Sequence, residues 1–117
     1  MEKIIQALQQ TFESSSSRTQ QYLDFHKLFD DEFTKVLAKL NCVAILISAP
    51  NHFDVSGFFT SSSDQIWYFN LSDLRWSKDK LLIRTATHYK DYTGGSNEYI
   101  KFDKNFISNL KFIIKER

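Results

Sequence analysis

Apolar residues Ile4, Ile5, Leu8 and Phe12 recur every three to four positions, with Gln6, Gln9, Gln10 and Glu13 between them. That period predicts a short amphipathic helix. The run Ser14-Ser15-Ser16-Ser17 then offers hydroxyls that compete for backbone hydrogen bonds, and Ser17-Arg18-Thr19-Gln20 has the form of a capping box, so a second helix is expected to start there. Tyr22, Phe25, Phe29, Phe33, Val36, Leu37 and Leu40 carry its apolar stripe, and Asn41 is placed to end it in the left-handed conformation.

From Cys42 the period changes to short runs rich in aromatic and branched residues. Turn chemistry at Ala49-Pro50-Asn51, at 60–64, at 77–79 and at Gly94-Gly95 separates strands expected over 42–48, 53–59, 65–71, 80–88 and 97–102. Such short connections favour antiparallel neighbours, because parallel pairing needs a crossover of about a dozen residues or more. Asp103 is read as the N-cap of a last helix, in which Phe106, Leu110, Ile113 and Ile114 share a face and Lys111, Lys115 and Arg117 favour the C-terminal end. The pattern therefore predicts one α+β domain over 1–117: two N-terminal helices, an antiparallel meander of about five strands and a C-terminal helix, with every helix on one sheet face.

Strand alternation turns Phe53, Val55, Phe59, Trp67, Phe69, Leu81, Ile83, Ile100 and Phe102 toward the helices. The opposite parity holds Phe58, Ile66, Tyr68, Leu82, Arg84, Ala86, His88, Tyr99 and Lys101. A surface that mixes aromatics with Arg, His and Lys is one that a partner would cover.

Composition supports a folded chain: Leu, Ile, Val and Phe make up 35 of 117 residues, well above the roughly 20% below which disorder is expected. A single cysteine, Cys42, excludes an intrachain disulfide and behaves as a small hydrophobe inside the run 42–47. That run is far shorter than the roughly 18 apolar residues of a spanning helix. The N-terminus turns polar too soon for a secretory signal, so a cytoplasmic protein is expected. The formal net charge is +1, yet residues 1–72 hold 5 Lys/Arg against 8 Asp/Glu while 73–117 hold 10 against 6. Such asymmetry is a lead toward a basic binding face.

Catalytic and cofactor signatures are thin. His26 with Asp30 one helical turn on offers two metal ligands, but no second pair completes a shell; a surface helix turn with local charge pairing is the preferred reading, and neither metal nor cofactor is expected. There is no Gly-x-Ser-x-Gly elbow, no Gly-x-Gly-x-x-Gly and no phosphate-loop lysine. The densest chemistry lies in His88-Tyr89-Lys90-Asp91-Tyr92-Thr93-Gly94-Gly95-Ser96-Asn97. As an enzyme site it would use His88 as base, Lys90 to stabilise an anion and Asp91 to orient a partner. As structure, the glycines supply positive torsions, Asp91, Thr93 and Asn97 satisfy free amides, and Tyr89, Tyr92 and Tyr99 pack across the hairpin.

Arg75, Trp76, Lys78, Lys80, Arg84, His88, Lys90, Tyr99 and Lys101 interleave cations with aromatics, a composition able to stack bases and neutralise phosphates. Strand, turn, strand, Gly-containing turn, strand and terminal helix over 65–115 resembles in outline the sheet-plus-helix unit of single-stranded-DNA-binding transcriptional coactivators and their Whirly relatives. Here two helices precede the sheet, and no family motif is matched residue by residue. Interspersed Asp73, Asp79, Asp91, Glu98 and Asp103 dilute the potential. The expectation is a non-catalytic protein-interaction module, homodimeric or bound to another protein through Phe58, Tyr68, Arg84, His88, Lys90, Tyr92, Tyr99 and Lys101, with single-stranded nucleic acid as the alternative ligand and a small enzyme third. No membrane partner is expected.

Overall fold

The computed structural model describes residues 1–47, 52–91 and 94–115. Helices α1 (Glu2–Ala7) and α2 (Gln20–Lys39) precede strands β1 (Val43–Ile47), β2 (Val55–Thr60), β3 (Ile66–Leu71), β4 (Lys80–Ala86) and β5 (Glu98–Lys101), and α3 (Phe106–Lys115) follows. The strands form an antiparallel meander in the order β1-β2-β3-β4-β5. The expected turn at Ala49-Pro50-Asn51 lies outside the described residues.

The α2 stripe forms because Tyr22, Phe25, Phe29, Phe33 and Val36 fall on one side of a 3.6-residue helix, and all are buried. Their rings reach the sheet: Phe33 lies 5.0 Å from Phe69 and 6.3 Å from Phe59, centroid to centroid, and Phe29 lies 6.1 Å from Phe69. Ile4 of α1, Phe106 and Leu110 of α3, and the inward residues Val55, Phe59, Trp67, Phe69, Leu81, Ile83 and Ile100 join the same cluster. All three helices therefore cover one face. Phe53 and Phe102 lie just outside the strands but pack against this cluster, as their parity required.

Local signals differ from expectation at three helix ends. α1 stops at Ala7, although Leu8, its C-cap, and Phe12 beyond the turn are buried and continue its apolar face. The N-cap of α2 is Thr19 rather than Ser17, and it makes no side-chain cap bond, while Ser16 Oγ accepts from the Arg18 amide at 3.1 Å. At the third, α3 is helical only from Phe106, but Asp103 caps the turn that leads into it, its carboxylate accepting the Asn105 amide at 2.8 Å and its carbonyl the Phe106 amide. Asn41 does adopt the left-handed conformation, with φ of 59°.

His26 requires a correction, since it is buried within the stripe of α2 and does not lie on a surface turn. Its Nε2–H donates to the His52 carbonyl at 2.9 Å, while Nδ1 is buried without a partner. A carbonyl only accepts, so the neutral tautomer protonated at Nε2 suits the site. Burial holds the imidazole pKa below its ordinary value, with the His52 carbonyl and the Asp54 charge opposing that shift. Because the unfolded chain then binds the proton more readily, stability should be full above about pH 6.5 and fall as the pH drops toward the folded value. Carboxylates held low by hydrogen bonds, such as Asp73 beside Arg75, act only near and below about pH 4, outside this window. Thermal unfolding between pH 7.5 and 5 should show this slope in the natural chain and lose it in His26→Gln; an unchanged slope would assign it elsewhere.

Candidate functional site: the open sheet face

The face of the sheet away from the helices has two halves. Phe58, Tyr68 and Arg84 occupy one cross-strand row, because Phe58 pairs with Tyr68 and Tyr68 with Arg84 in the ladders. The Phe58 and Tyr68 rings lie 5.3 Å apart, and the Arg84 guanidinium sits 4.5 Å from the Tyr68 centroid. After β4 the chain turns back over this row, and Tyr89 meets Phe58 edge-on at 6.0 Å. Phe58 is only 1% exposed as a result, so it anchors the covering segment and is not a docking residue as expected.

The covering segment is held by backbone-directed bonds. Asp91 is buried, and its carboxylate accepts from the Thr87 amide at 3.0 Å and the Thr87 hydroxyl at 2.9 Å. Gly95 takes φ of +53° directly against Thr85. β4 ends at Ala86, so His88 belongs to the turn and not to the strand face; its Nδ1 bonds the neighbouring Tyr89 carbonyl at 3.0 Å. Lys90, exposed and at φ of 70°, places its ammonium 5.4 Å from the Tyr89 centroid. Among the described residues, His88 meets the Tyr89 carbonyl, Lys90 stands over the Tyr89 ring and Asp91 bonds Thr87, so these contacts do not link the three to one another. Tyr92 and Thr93 lie outside the described residues. Asn97 takes a different part from the expected amide cap, with its side-chain oxygen 3.5 Å from Arg84 Nη1.

The second half, over β3 to β5, is open. Tyr99 is 54% exposed, and the Lys80 ammonium lies 4.8 Å from its centroid. Lys80 and Lys101 are direct cross-strand partners, both exposed and both on this face. A groove of about 400 Å3 continues from Lys80, Leu82 and Tyr99 to Asn70, Asp79 and Trp76. Trp76 is carried by a tight turn in which Arg75 binds Asp73 through Nε at 2.9 Å and Nη2 at 2.7 Å. The same guanidinium lies between the Phe53 and Trp76 rings, at 3.7 and 4.1 Å from their centroids. Arg75 is therefore a support for Trp76 rather than a free cation.

The sequence marks Lys80, Tyr99, Lys101 and Trp76 as members of a basic and aromatic set and Asp79 as a charge diluting it, but neither their junction nor Asn70 beside them. Only the register of β4 on β5 sets the two lysines opposite each other. Among the described residues no group of three or more His, Cys, Asp or Glu is placed to hold a metal ion, and no helix is long and apolar enough to cross a membrane. Comparison with protein-family models, with curated protein sequences and with solved structures gave no match. The likeness to single-stranded-DNA-binding coactivators thus rests on the order of elements alone.

Proposed function

We propose that the chain is a non-catalytic interaction module whose open sheet face docks an acidic segment of a protein partner. The observation that carries this reading is the cross-strand pair Lys80 and Lys101 beside the exposed Tyr99 ring. Like charges directly opposite on neighbouring strands oppose folding, so the pair works against the isolated domain. Carboxylates of a partner lying across β4 and β5 would relieve it, and Tyr99 would supply apolar contact at the same place. A second copy docked face to face would instead bring Lys80, Arg84 and Lys101 against their own images.

Lys101→Glu should separate stability from binding. It converts the opposed pair into an attractive one, so the variant should gain about 0.2–1 kcal/mol in denaturant unfolding. The same change should weaken binding of a fluorescein-labelled glutamate- and tyrosine-rich peptide by about tenfold or more, as read by anisotropy at low salt. No peptide binding by the natural chain, or equal binding by the variant, would overturn the reading.

A second reading, binding of single-stranded nucleic acid, is favoured by the groove in which Trp76 and Tyr99 share a wall with Lys80. Tighter binding of labelled oligothymidylate than of the peptide, falling steeply with salt, would select it.

A further inference from the structure

We infer that Lys39, Lys111 and Lys115, gathered around one cleft on the helix side of the molecule, bind the oligophosphate group of a small phosphorylated molecule. The site uses none of the residues of the open sheet face and so goes beyond the reading above.

Two helices bring the three ammoniums together. Lys39 ends α2, while Lys111 and Lys115 lie one turn apart on α3, and all three line a cleft of about 270 Å3. Half-buried Leu40 and Ile114 form its apolar walls. Among the described residues no Asp or Glu lines the cleft, and none of the three lysines forms an ion pair. Elsewhere cations do find acids: Lys3 and Lys35 share Glu32, and Arg75 holds Asp73. The Asn41 side-chain amide and the Ser62 hydroxyl complete the rim; among the described residues neither has a hydrogen-bond partner, and both can donate to the same ligand.

Helix dipoles account for only part of this arrangement. Lys39 and Lys115 stand in last turns, where a cation offsets the partial negative charge of the free carbonyls. Lys111 lies a turn earlier and has no such role, and its i,i+4 spacing from Lys115 is repulsive. Each helix C-terminus is worth about half a negative charge, so the three ammoniums leave about two positive charges uncompensated. Glu116 and Arg117, which follow in sequence, carry opposite formal charges and leave this sum unchanged. Walls of low polarity concentrate the field of a cleft lined by one sign of charge.

That excess selects a ligand with two or more negative charges over chloride or a single carboxylate. A compact cleft further favours charges carried close together, as along a phosphate chain, over carboxylates spread on a carbon skeleton, and ammoniums pair well with phosphate oxygens. The volume falls just below the roughly 300–1,000 Å3 of pockets that enclose a whole ligand, so the phosphates are seated and the rest of the molecule stays outside.

Isothermal titration calorimetry of the full chain with sodium tripolyphosphate at low salt should show saturable binding at one site per chain. Lys111→Gln changes an exposed side chain and should weaken it by about tenfold or more, whereas Lys104→Gln, which removes an equal charge outside the cleft, should not. No saturable binding by the natural chain, equal losses in the two variants, or citrate binding as tightly as tripolyphosphate would overturn the inference. Oligothymidylate that displaces tripolyphosphate and binds more tightly would also overturn it, in favour of a nucleic-acid backbone. Amide chemical shifts of the natural chain give a readout that needs no variant: tripolyphosphate should move the resonances of 39–41, 62 and 111–115 together, and changes confined to β4 and β5 would reject the cleft. Lys101→Glu, the test of the open face, should bind tripolyphosphate like the natural chain, so failure of one reading is distinguishable from failure of the other.

Discussion

Phe69→Ala is expected to destabilise the protein by about 3–5 kcal/mol, a large share of the roughly 5–15 kcal/mol that holds a domain folded. Phe69 is fully buried on β3, and its ring meets Phe33 at 5.0 Å, Phe29 at 6.1 Å and Phe59 at 6.2 Å. It joins both faces of the helix–sheet contact, so its removal leaves a cavity that neither α2 nor β2 can close without shifting other rings. Urea unfolding should show a lower midpoint with an unchanged slope. Phe112→Ala serves as the comparison: this ring is 65% exposed on α3, and the change should fall within about 0.5 kcal/mol. Equal costs at the two positions would mean that α2 does not pack on β3 as described.

Gly95→Ala is expected to release the segment that covers Phe58, at a cost of about 1–3 kcal/mol. A Cβ at position 95 would stand 2.6 Å from the Thr85 hydroxyl, 2.7 Å from its carbonyl oxygen and 2.9 Å from its amide nitrogen, and the residue has φ of +53°. Two of those neighbours are backbone of a central strand and cannot move aside, and the left-handed torsion adds its own penalty for an alanine. The segment should therefore lift rather than β4 distort. Hydrogen exchange in the variant should quicken over residues 87–91 while the α2 amides keep their protection; uniform acceleration would show that the segment is integral to global stability. Because Tyr89 contributes to covering Phe58, the variant should also bind an environment-sensitive apolar dye more strongly than the natural chain.

The element order and the two sheet parities were legible because both are short-range consequences of side-chain spacing. Trp67, Phe69, Leu71, Leu81, Ile83 and Ile100 alternate with residues of the other face, and every one is buried against the helices. The motif at Ser17 placed the start of α2 two residues early, since its N-cap is Thr19. The sequence points His26 to the surface because Asp30 lies one helical turn on and suggests local charge pairing; only the approach of the 52–54 segment, with the His52 carbonyl, gives the ring a buried partner. The role of His88 was misread for a one-turn reason: β4 ends at Ala86, and past a strand end alternation carries no information.

The site divides in the same way. Aromatic and basic residues over 73–101 announced a mixed surface, but nothing in the spacing of Lys39, Lys111 and Lys115 announced their common cleft. By itself the amino-acid pattern determined which residues are helical or extended and which side of the sheet each strand residue takes, because period and turn chemistry act over a few bonds. The tertiary structure alone decided that Lys80 opposes Lys101, that Tyr89 closes over Phe58 and that β1 is left at an edge. Those facts depend on strand register and on where the chain returns in space, which are settled by the packing of residues far apart in sequence.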